Sequence, residues 1–291
     1  MRNGYVMPQV ALGSAQFGME YGVTNGLPIP SLGQVEEILG QARLGGVTHI
    51  DTAPSYGDAE ARLGLVGRSM SVGTKVKGAL SPDIREQLQE SLVRLGTSKL
   101  SQVLIHDWCQ ISYAEMRRSA AQLEAERSVG TVGRVGVSVY SPEGLLLAGQ
   151  HFAQLDTVQV PFSALDRRFR EAVDALRNRH PSLEVEGRSA LLQGVLGTLQ
   201  GPDGLEDHYD VRRWREWCRS HALSPSHAAL AYVFAQQWMD RVVVGVASLN
   251  QLTEVLDIHR DQDGTYAALG SRVENEIEPS SDLNLIDPSR W

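Results

Sequence analysis

The chain has 291 residues, 42% of them hydrophobic and 21% charged, with a formal net charge of -8. That length suits one large α/β domain, since an eight-stranded barrel takes about 250 residues. The acidic balance disfavours nucleic acid as a partner, because phosphates need a basic face. No apolar run reaches the about 18 residues of a membrane span, so no membrane partner is expected. Residues 1–5 lack the apolar core of a signal peptide. Cys109 and Cys218 sit in dissimilar contexts, which suits free thiols better than a disulfide. A cytoplasmic location is the expectation.

In chain order, strands and helices alternate. Residues 9–14 read as an apolar strand. Residues 34–43 have helical periodicity, with Val35, Ile38, Leu39 and Ala42 on one face and Gly45-Gly46 as the stop. The run 46–50 is a short buried strand that ends on Asp51, and a helix follows over 59–66. A third strand over 70–76 carries Lys75 near its end and leads to a helix over 82–95. Strand 100–105 ends on His106, and a helix with a polar face covers 113–127. Strands 134–139 and 157–160 are each followed by a helix, over 142–148 and 169–178. Strand 183–188 is the least apolar of the set. After a long loop come helices over 211–221 and 226–238, a last strand over 241–246, and a helix over 251–258. Eight βα units with short connectors predict a single (β/α)8 TIM barrel domain spanning 1–291, with no room for a second domain. Residues 261–291 are polar and mixed, and are expected to wrap the barrel as a tail.

The chemistry concentrates at three successive strand ends. In His49-Ile50-Asp51-Thr52-Ala53-Pro54-Ser55-Tyr56-Gly57, Pro54 and Gly57 forbid a continuing strand or helix. Tyr56 therefore lies on a turn just past a strand's C-terminal end, where parallel α/β proteins bind ligands. A tyrosine serves as a general acid when a neighbouring cation lowers its pKa from about 10. Lys75 and His106, at the ends of the next two strands, supply a cation and a carbonyl-orienting group. Lys77 shares the strand parity of Lys75 and is its rival. Each residue alone reads as a loop aromatic, a turn cap or a solvated charge; their order along the chain favours function. His106-Asp107 lacks further ligands at metal-binding spacing, so no metal site is expected.

This order resembles the aldo-keto reductase family, whose catalytic set is Asp, Tyr, Lys and His on a (β/α)8 barrel. The matching motifs are His49-Ile50-Asp51-Thr52-Ala53 with Tyr56, then Thr74-Lys75-Val76, then Leu104-Ile105-His106-Asp107, and the resemblance runs from Val10 to about Ile258. It implies an NAD(P)H-dependent oxidoreductase that reduces a small-molecule aldehyde or ketone, with NADP(H) as cofactor and NAD(H) as the alternative. Tyr56 would be the acid, Lys75 would lower its pKa, Asp51 would hold the lysine, and His106 would orient the carbonyl. No Gly-x-Gly-x-x-Gly follows the first strand, which argues against a Rossmann site; the family binds its dinucleotide across the barrel top. There the resemblance implies Ser138 and Gln159 at the carboxamide and Ser189, Gln193 and Gly194 at the pyrophosphate. Ser248, Asn250 and Gln251 would sit at the adenosine end. Arg188 stands where the family often places an aromatic, and would stack on the nicotinamide by its planar guanidinium.

Three departures stand out. Val139 replaces the family's Asn after Ser138, and Val255 replaces the Asn toward adenine. Ala247, Leu249 and Gln251 are neutral where NADPH-specific members carry Lys or Arg, although a 2′-phosphate needs cationic partners. Phe17, Met19, Tyr21, Trp108 and Tyr140 are the expected pocket walls. Relatives are often monomers and no heptad pattern calls for a partner helix, so a monomer or weak homo-oligomer is expected. Two other readings fit the same scaffold: a redox-neutral lyase or epimerase acting through Tyr56 and Lys75, and a non-catalytic dinucleotide-sensing subunit.

Overall fold

Eight short segments take up extended backbone and pair, each in parallel with its sequence neighbour. They are β1 (Gln9–Gly13), β2 (His49–Asp51), β3 (Ser71–Val76), β4 (Leu100–Ile105), β5 (Val132–Ser138), β6 (Thr157–Pro161), β7 (Glu184–Arg188) and β8 (Arg241–Gly245). β8 returns to pair with β1, which closes the sheet into a (β/α)8 barrel. The computed structural model describes residues 7–67, 69–79, 83–200, 205, 207–261 and 263–291.

The α-helices among the described residues are α1 (Ala15–Gly18), α2 (Leu32–Leu44), α3 (Ala59–Val66), α4 (Ile84–Leu95), α5 (Tyr113–Val129), α6 (Pro142–His151), α7 (Arg170–Arg177), α8 (Tyr209–Ser220) and α9 (Pro225–Phe234) before β8, and α10 (Leu249–His259), α11 (Thr265–Glu276) and α12 (Leu283–Ile286) after it. Local chemistry sets several ends. Ser31 and Gln34 form a reciprocal capping box at the start of α2, as Ser112 and Glu115 do at α5, satisfying backbone donors that a first turn leaves unpaired. Pro82, expected to open α4, lies outside the described residues; Asp83 caps the helix by accepting from the Arg85 N–H. The helix expected over 226–238 ends earlier, at Phe234, and Gln236, Met239 and Asp240 carry the turn into β8.

The described residues of 261–291 hold two α-helices that the polar composition concealed. α11 packs on α9, and Arg167 donates to the carbonyls of Val273 and Ile277. Leu285 and Ile286 are fully buried. The tail is therefore part of the packed shell. None of its described residues lines the cavity at the barrel mouth.

Strand alternation sorts the core into two media. Outward residues such as Ile50, Val103, Ile105, Val158 and Val185 are wholly buried against the helices. The inward row is polar. Ser138, Gln159, Glu186 and Arg241 are register partners on four successive strands, and His49, Asp51, Lys75 and Gln102 are buried with them. This explains why strand 183–188 reads as the least apolar. Glu186 meets Arg241 in the barrel interior and Glu184 pairs with the exposed Arg134, while Val185 between them joins the hydrophobic shell.

Candidate active site

Tyr56 is aimed by two glycines. The turn after β2 is tied by Tyr56 N–H to the Ala53 carbonyl. It packs against the end of α1 so closely that a Cβ on Gly18 would collide with the Tyr56 carbonyl, and one on Gly57 with the Gly18 carbonyl. Gly57 also has φ +59°, the left-handed region that glycine enters without strain. The turn thus sits flush on the barrel rim, and the Tyr56 hydroxyl reaches inward to 3.2 Å from Lys75 Nζ.

Lys75 is 1% exposed. Its ammonium has three N–H donors and three acceptors: Asp51 Oδ2 at 2.6 Å, the Thr52 carbonyl at 3.0 Å, and the Tyr56 oxygen. Because Lys75 donates to the phenol oxygen, the phenol's own proton is left to point elsewhere. His106 stands edge-on to the Tyr56 ring, with centroids 6.3 Å apart. The structure thus brings together the four side chains that the strand-end motifs nominated. Lys77, the rival, is exposed, and its backbone N–H bonds to Gln87.

Burial dominates the electrostatics. It pushes the Tyr56 phenol above its ordinary value, and the opposing pull of Lys75 only partly offsets this. The lysine field is real, but desolvation of a phenolate costs more, so Tyr56 is a protonated donor across the neutral range. Burial alone would lower the Lys75 ammonium; attraction to Asp51 and Tyr56 outweighs it and holds the group above the usual lysine range. Burial, then Lys75, then Arg188 bring His106 down to about 3, so its imidazole is neutral.

Behind these groups runs a continuous polar chain. The Gln159 amide nitrogen donates to Asp51 Oδ1 at 2.9 Å and to Glu186 Oε2 at 3.0 Å, while its oxygen accepts from the Ser138 hydroxyl at 3.1 Å. Two carboxylates on one side determine which way the amide points. Glu186 is fully buried and also takes Arg241 at 2.5 Å and Gln102 at 3.1 Å. Sequence reasoning missed Glu186, Gln102 and Arg241 as a group. The available signal was the polar parity of strand 183–188.

A cavity of about 420 Å³ opens at the strands' C-terminal ends. Tyr56, His106 and Gln159 line one part, the 188–198 loop another, and Gln251, Glu254 and Val255 of α10 the far part. The loop after β7 is conformationally unusual: Ser189, Leu192, Gln193 and Gly194 all have positive φ. Left-handed non-glycine residues are costly and gather at binding sites. Ser189, Gln193 and Gly194 line the cavity, as do Arg188 and Tyr140.

Other expected residues lie elsewhere. Phe17 and Trp108, expected as pocket walls, are both 0% exposed and belong to the hydrophobic core. Trp108 can be buried because its indole N–H donates to the Gly144 carbonyl. Ser138 lies behind Gln159 and does not reach the cavity. Asn250 is exposed on α10 away from it, and the Ser248 hydroxyl is spent capping α10 by accepting from Gln251 N–H. Of the aromatic candidates, Tyr21 and Tyr140 line the cavity.

The fold is a closed (β/α)8 barrel that gathers Tyr56, Lys75, Asp51 and His106 at its C-terminal mouth. The model of the Aldo/keto reductase family matches residues 9–262, and the chain belongs to that family, whose members generally use NAD(P)H. No curated protein matches the sequence. Among solved structures, the chain is similar to a Pseudomonas aeruginosa protein assigned by inference to the aldo-keto reductases, at 24% identity and TM-score 0.63, covering 88% of this chain and 91% of that one. It is also similar to the holo form of aldo-keto reductase AKR11C1 from Bacillus halodurans, at 16% identity and TM-score 0.76, covering 98% and 96%. At such identities the likeness concerns the fold.

Proposed function

We propose that the protein reduces a small-molecule aldehyde or ketone to the alcohol, with Tyr56 as general acid. The observation that carries this reading is the Tyr56 hydroxyl, 3.2 Å from a lysine that is buried and ion-paired to Asp51, at the wall of the cavity.

The cavity's residues fit a nicotinamide dinucleotide in part. Polar groups on the strained 189–194 loop suit a pyrophosphate, and the Gln159 oxygen, which already accepts from Ser138, keeps a second lone pair for a carboxamide N–H. The far end offers Gln251, whose side-chain oxygen already accepts from Ala247 N–H at 2.7 Å, and the carboxylate of Glu254. An acceptor carboxylate there suits the hydroxyls of an adenosine ribose better than a 2′-phosphate. When bound, the reduced cofactor supplies a hydride to the carbonyl carbon.

The chain's own residues do the rest. The neutral His106 imidazole donates a hydrogen bond to the substrate oxygen and orients it. As negative charge grows on that oxygen, Tyr56 gives up its phenolic proton. The emerging phenolate is stabilised by the Lys75 ammonium already hydrogen-bonded to it, so no charge has to be recruited during the step. Asp51 keeps Lys75 charged, and solvent at the cavity mouth restores the Tyr56 proton.

The test is oxidation of NADPH and of NADH by a panel of aldehydes, with wild type and Tyr56→Phe side by side. We expect Tyr56→Phe to lose about two to four decades of turnover at unchanged thermal midpoint. A variant that keeps most of its turnover on a confirmed substrate would remove Tyr56 from this role.

A further inference from the structure

Arg188 is the one arginine or lysine on the cavity wall among the described residues, and it has no carboxylate partner there. The other charged groups on that wall are answered. Asp51 is held by Lys75, and Glu254 by His227 at 3.1 Å and by the Ser226 hydroxyl. A half-buried guanidinium without a counter-charge is costly unless an anion arrives to meet it.

The guanidinium's posture narrows what it can meet. It lies over the Tyr140 ring, 4.1 Å from the centroid. It donates to the Val139 carbonyl at 3.1 Å, across the end of β6, and to the Ser189 hydroxyl at 3.1 Å. One face is therefore covered, and the group is braced from β5 and from its own loop. Of its five N–H donors, three remain. Arg188 lines the same cavity as Tyr56 and His106. After burial and Lys75, Arg188 is the next influence keeping His106 neutral. At Tyr21, burial and the nearby Tyr56 push the phenol up to about 12, against the pull of Arg188.

We infer that Arg188 binds a carboxylate of the substrate, so that the preferred substrate is an aldehyde or ketone bearing an acid group. This rests on the reductase reading above and names its substrate class. The carboxylate is unchanged in the reaction. The carbonyl carbon gains the hydride, the oxygen gains the Tyr56 proton, and the product is a hydroxy acid. Tyr140 holds the guanidinium plane rigid, so little freedom is lost when the anion docks, and the fork can grip both carboxylate oxygens. An anionic oxygen group could also come from the cofactor's pyrophosphate, which has the same chemistry, so the test separates the two.

Isothermal titration of the NADPH-saturated protein compares acetate with acetamide and benzoate with benzamide. At least one carboxylate should bind tenfold or more tightly than its amide. Arg188→Met should reduce that ratio to within twofold, and Arg188→Lys should keep part of it. Circular dichroism melts of both variants report folding. NADPH affinity is measured in parallel on the same samples. If no acid binds better than its amide in the wild type, the inference is wrong. It is equally wrong if Arg188→Met weakens NADPH while the acid preference persists, since the arginine then serves the pyrophosphate. The binding arm needs no turnover, so a failed reductase reading is seen separately, as absent reduction of every aldehyde. The turnover arm compares 4-carboxybenzaldehyde with its methyl ester: kcat/KM should favour the acid about tenfold in wild type and should lose that preference in Arg188→Met.

Discussion

Replacing Asp51 with asparagine should change the way stability depends on alkaline pH. In the wild type, Lys75 is 1% exposed, carries its charge in the barrel interior and has Asp51 Oδ2 at 2.6 Å. Its pKa is raised on folding, so the shift contributes stability that is fully present below the ordinary lysine value of about 10.4. That stability is lost only as pH climbs through the higher folded value, and between pH 7 and 9 its contribution is flat. The Asp51→Asn change would leave the Lys75 ammonium among neutral oxygens. Breaking a buried pair by removing one partner costs about 3–5 kcal/mol, or about 6–20 °C at 2–4 °C per kcal/mol. Burial, opposed now mainly by Tyr56, would lower the folded pKa of Lys75 toward neutrality. The unfolded chain would then bind more protons than the native one, and stability would rise with pH by at most about 1.4 kcal/mol per unit. The measurement is urea unfolding of both proteins at pH 7, 8 and 9, followed by tryptophan fluorescence. The deficit of Asp51→Asn should shrink by about 1–2.5 kcal/mol over that range. A deficit that stays constant would mean that Lys75 is not the charge Asp51 neutralises.

Three further outcomes follow from the same geometry. Lys75→Met removes the one strong downward pull on the Tyr56 phenol, so the basic limb of the pH–rate profile should move upward; Lys77→Met, on an exposed side chain, should leave it in place, and equal shifts would show that the wrong lysine was chosen. For Glu186, burial pushes the carboxyl up, but His49, Arg241 and Gln159 more than compensate and its pKa is lowered. Its stabilisation is present above about pH 4.3 and fades as acid titrates it, so Glu186→Gln should lower the melting point at pH 7 by several degrees and flatten the acid limb of the melting-point profile; a parallel acid limb would rule this out. Wild-type preference for NADPH over NADH should be under about a hundredfold, because one or two charge-assisted hydrogen bonds of about 1.5–3 kcal/mol are missing at Gln251; Gln251→Arg should tighten NADPH about tenfold in calorimetry with NADH unchanged, and a much larger wild-type preference would reveal a cation elsewhere.

The eight-strand pattern was legible in the sequence because outward residues such as Ile50, Val103 and Val158 carry an apolar signal at each βα unit, and because glycines and capping serines mark the ends. The tyrosine, lysine, histidine and aspartate could be found from sequence since each follows or ends an apolar run. What the sequence hid was depth. Phe17 and Tyr21 look alike as loop aromatics four residues apart, yet one is core and the other lines the cavity, a difference set by how tightly Gly18 lets α1 lie on the turn of Tyr56. Ser138, expected at the carboxamide, sits behind Gln159. α11 escaped notice because its buried face is only Leu269, Gly270 and Val273, too sparse to read as a stripe.

Glu186 shows why such failures cluster in the barrel interior. A polar residue on a buried strand usually weakens a strand assignment, because burying it unpaired costs several kcal/mol. Here the cost is met by partners far apart in sequence: Gln102 lies 84 residues away and Arg241 lies 55 away. Local periodicity cannot register such pairs, so a chain rich in them reads as a poor strand until the barrel closes. The same closure joins Tyr56 to Lys75, Asp51, Gln159, Glu186 and Arg241 in one line of contacts. A substitution at the Arg241 end should therefore be felt at the phenol, through the orientation of Gln159 and the charge on Asp51. The acid limb of Glu186→Gln and the alkaline slope of Asp51→Asn probe the two halves of that line. If the double variant's stability loss equals the sum of the single losses within about 0.5 kcal/mol, the halves act independently, and the line is a row of separate contacts.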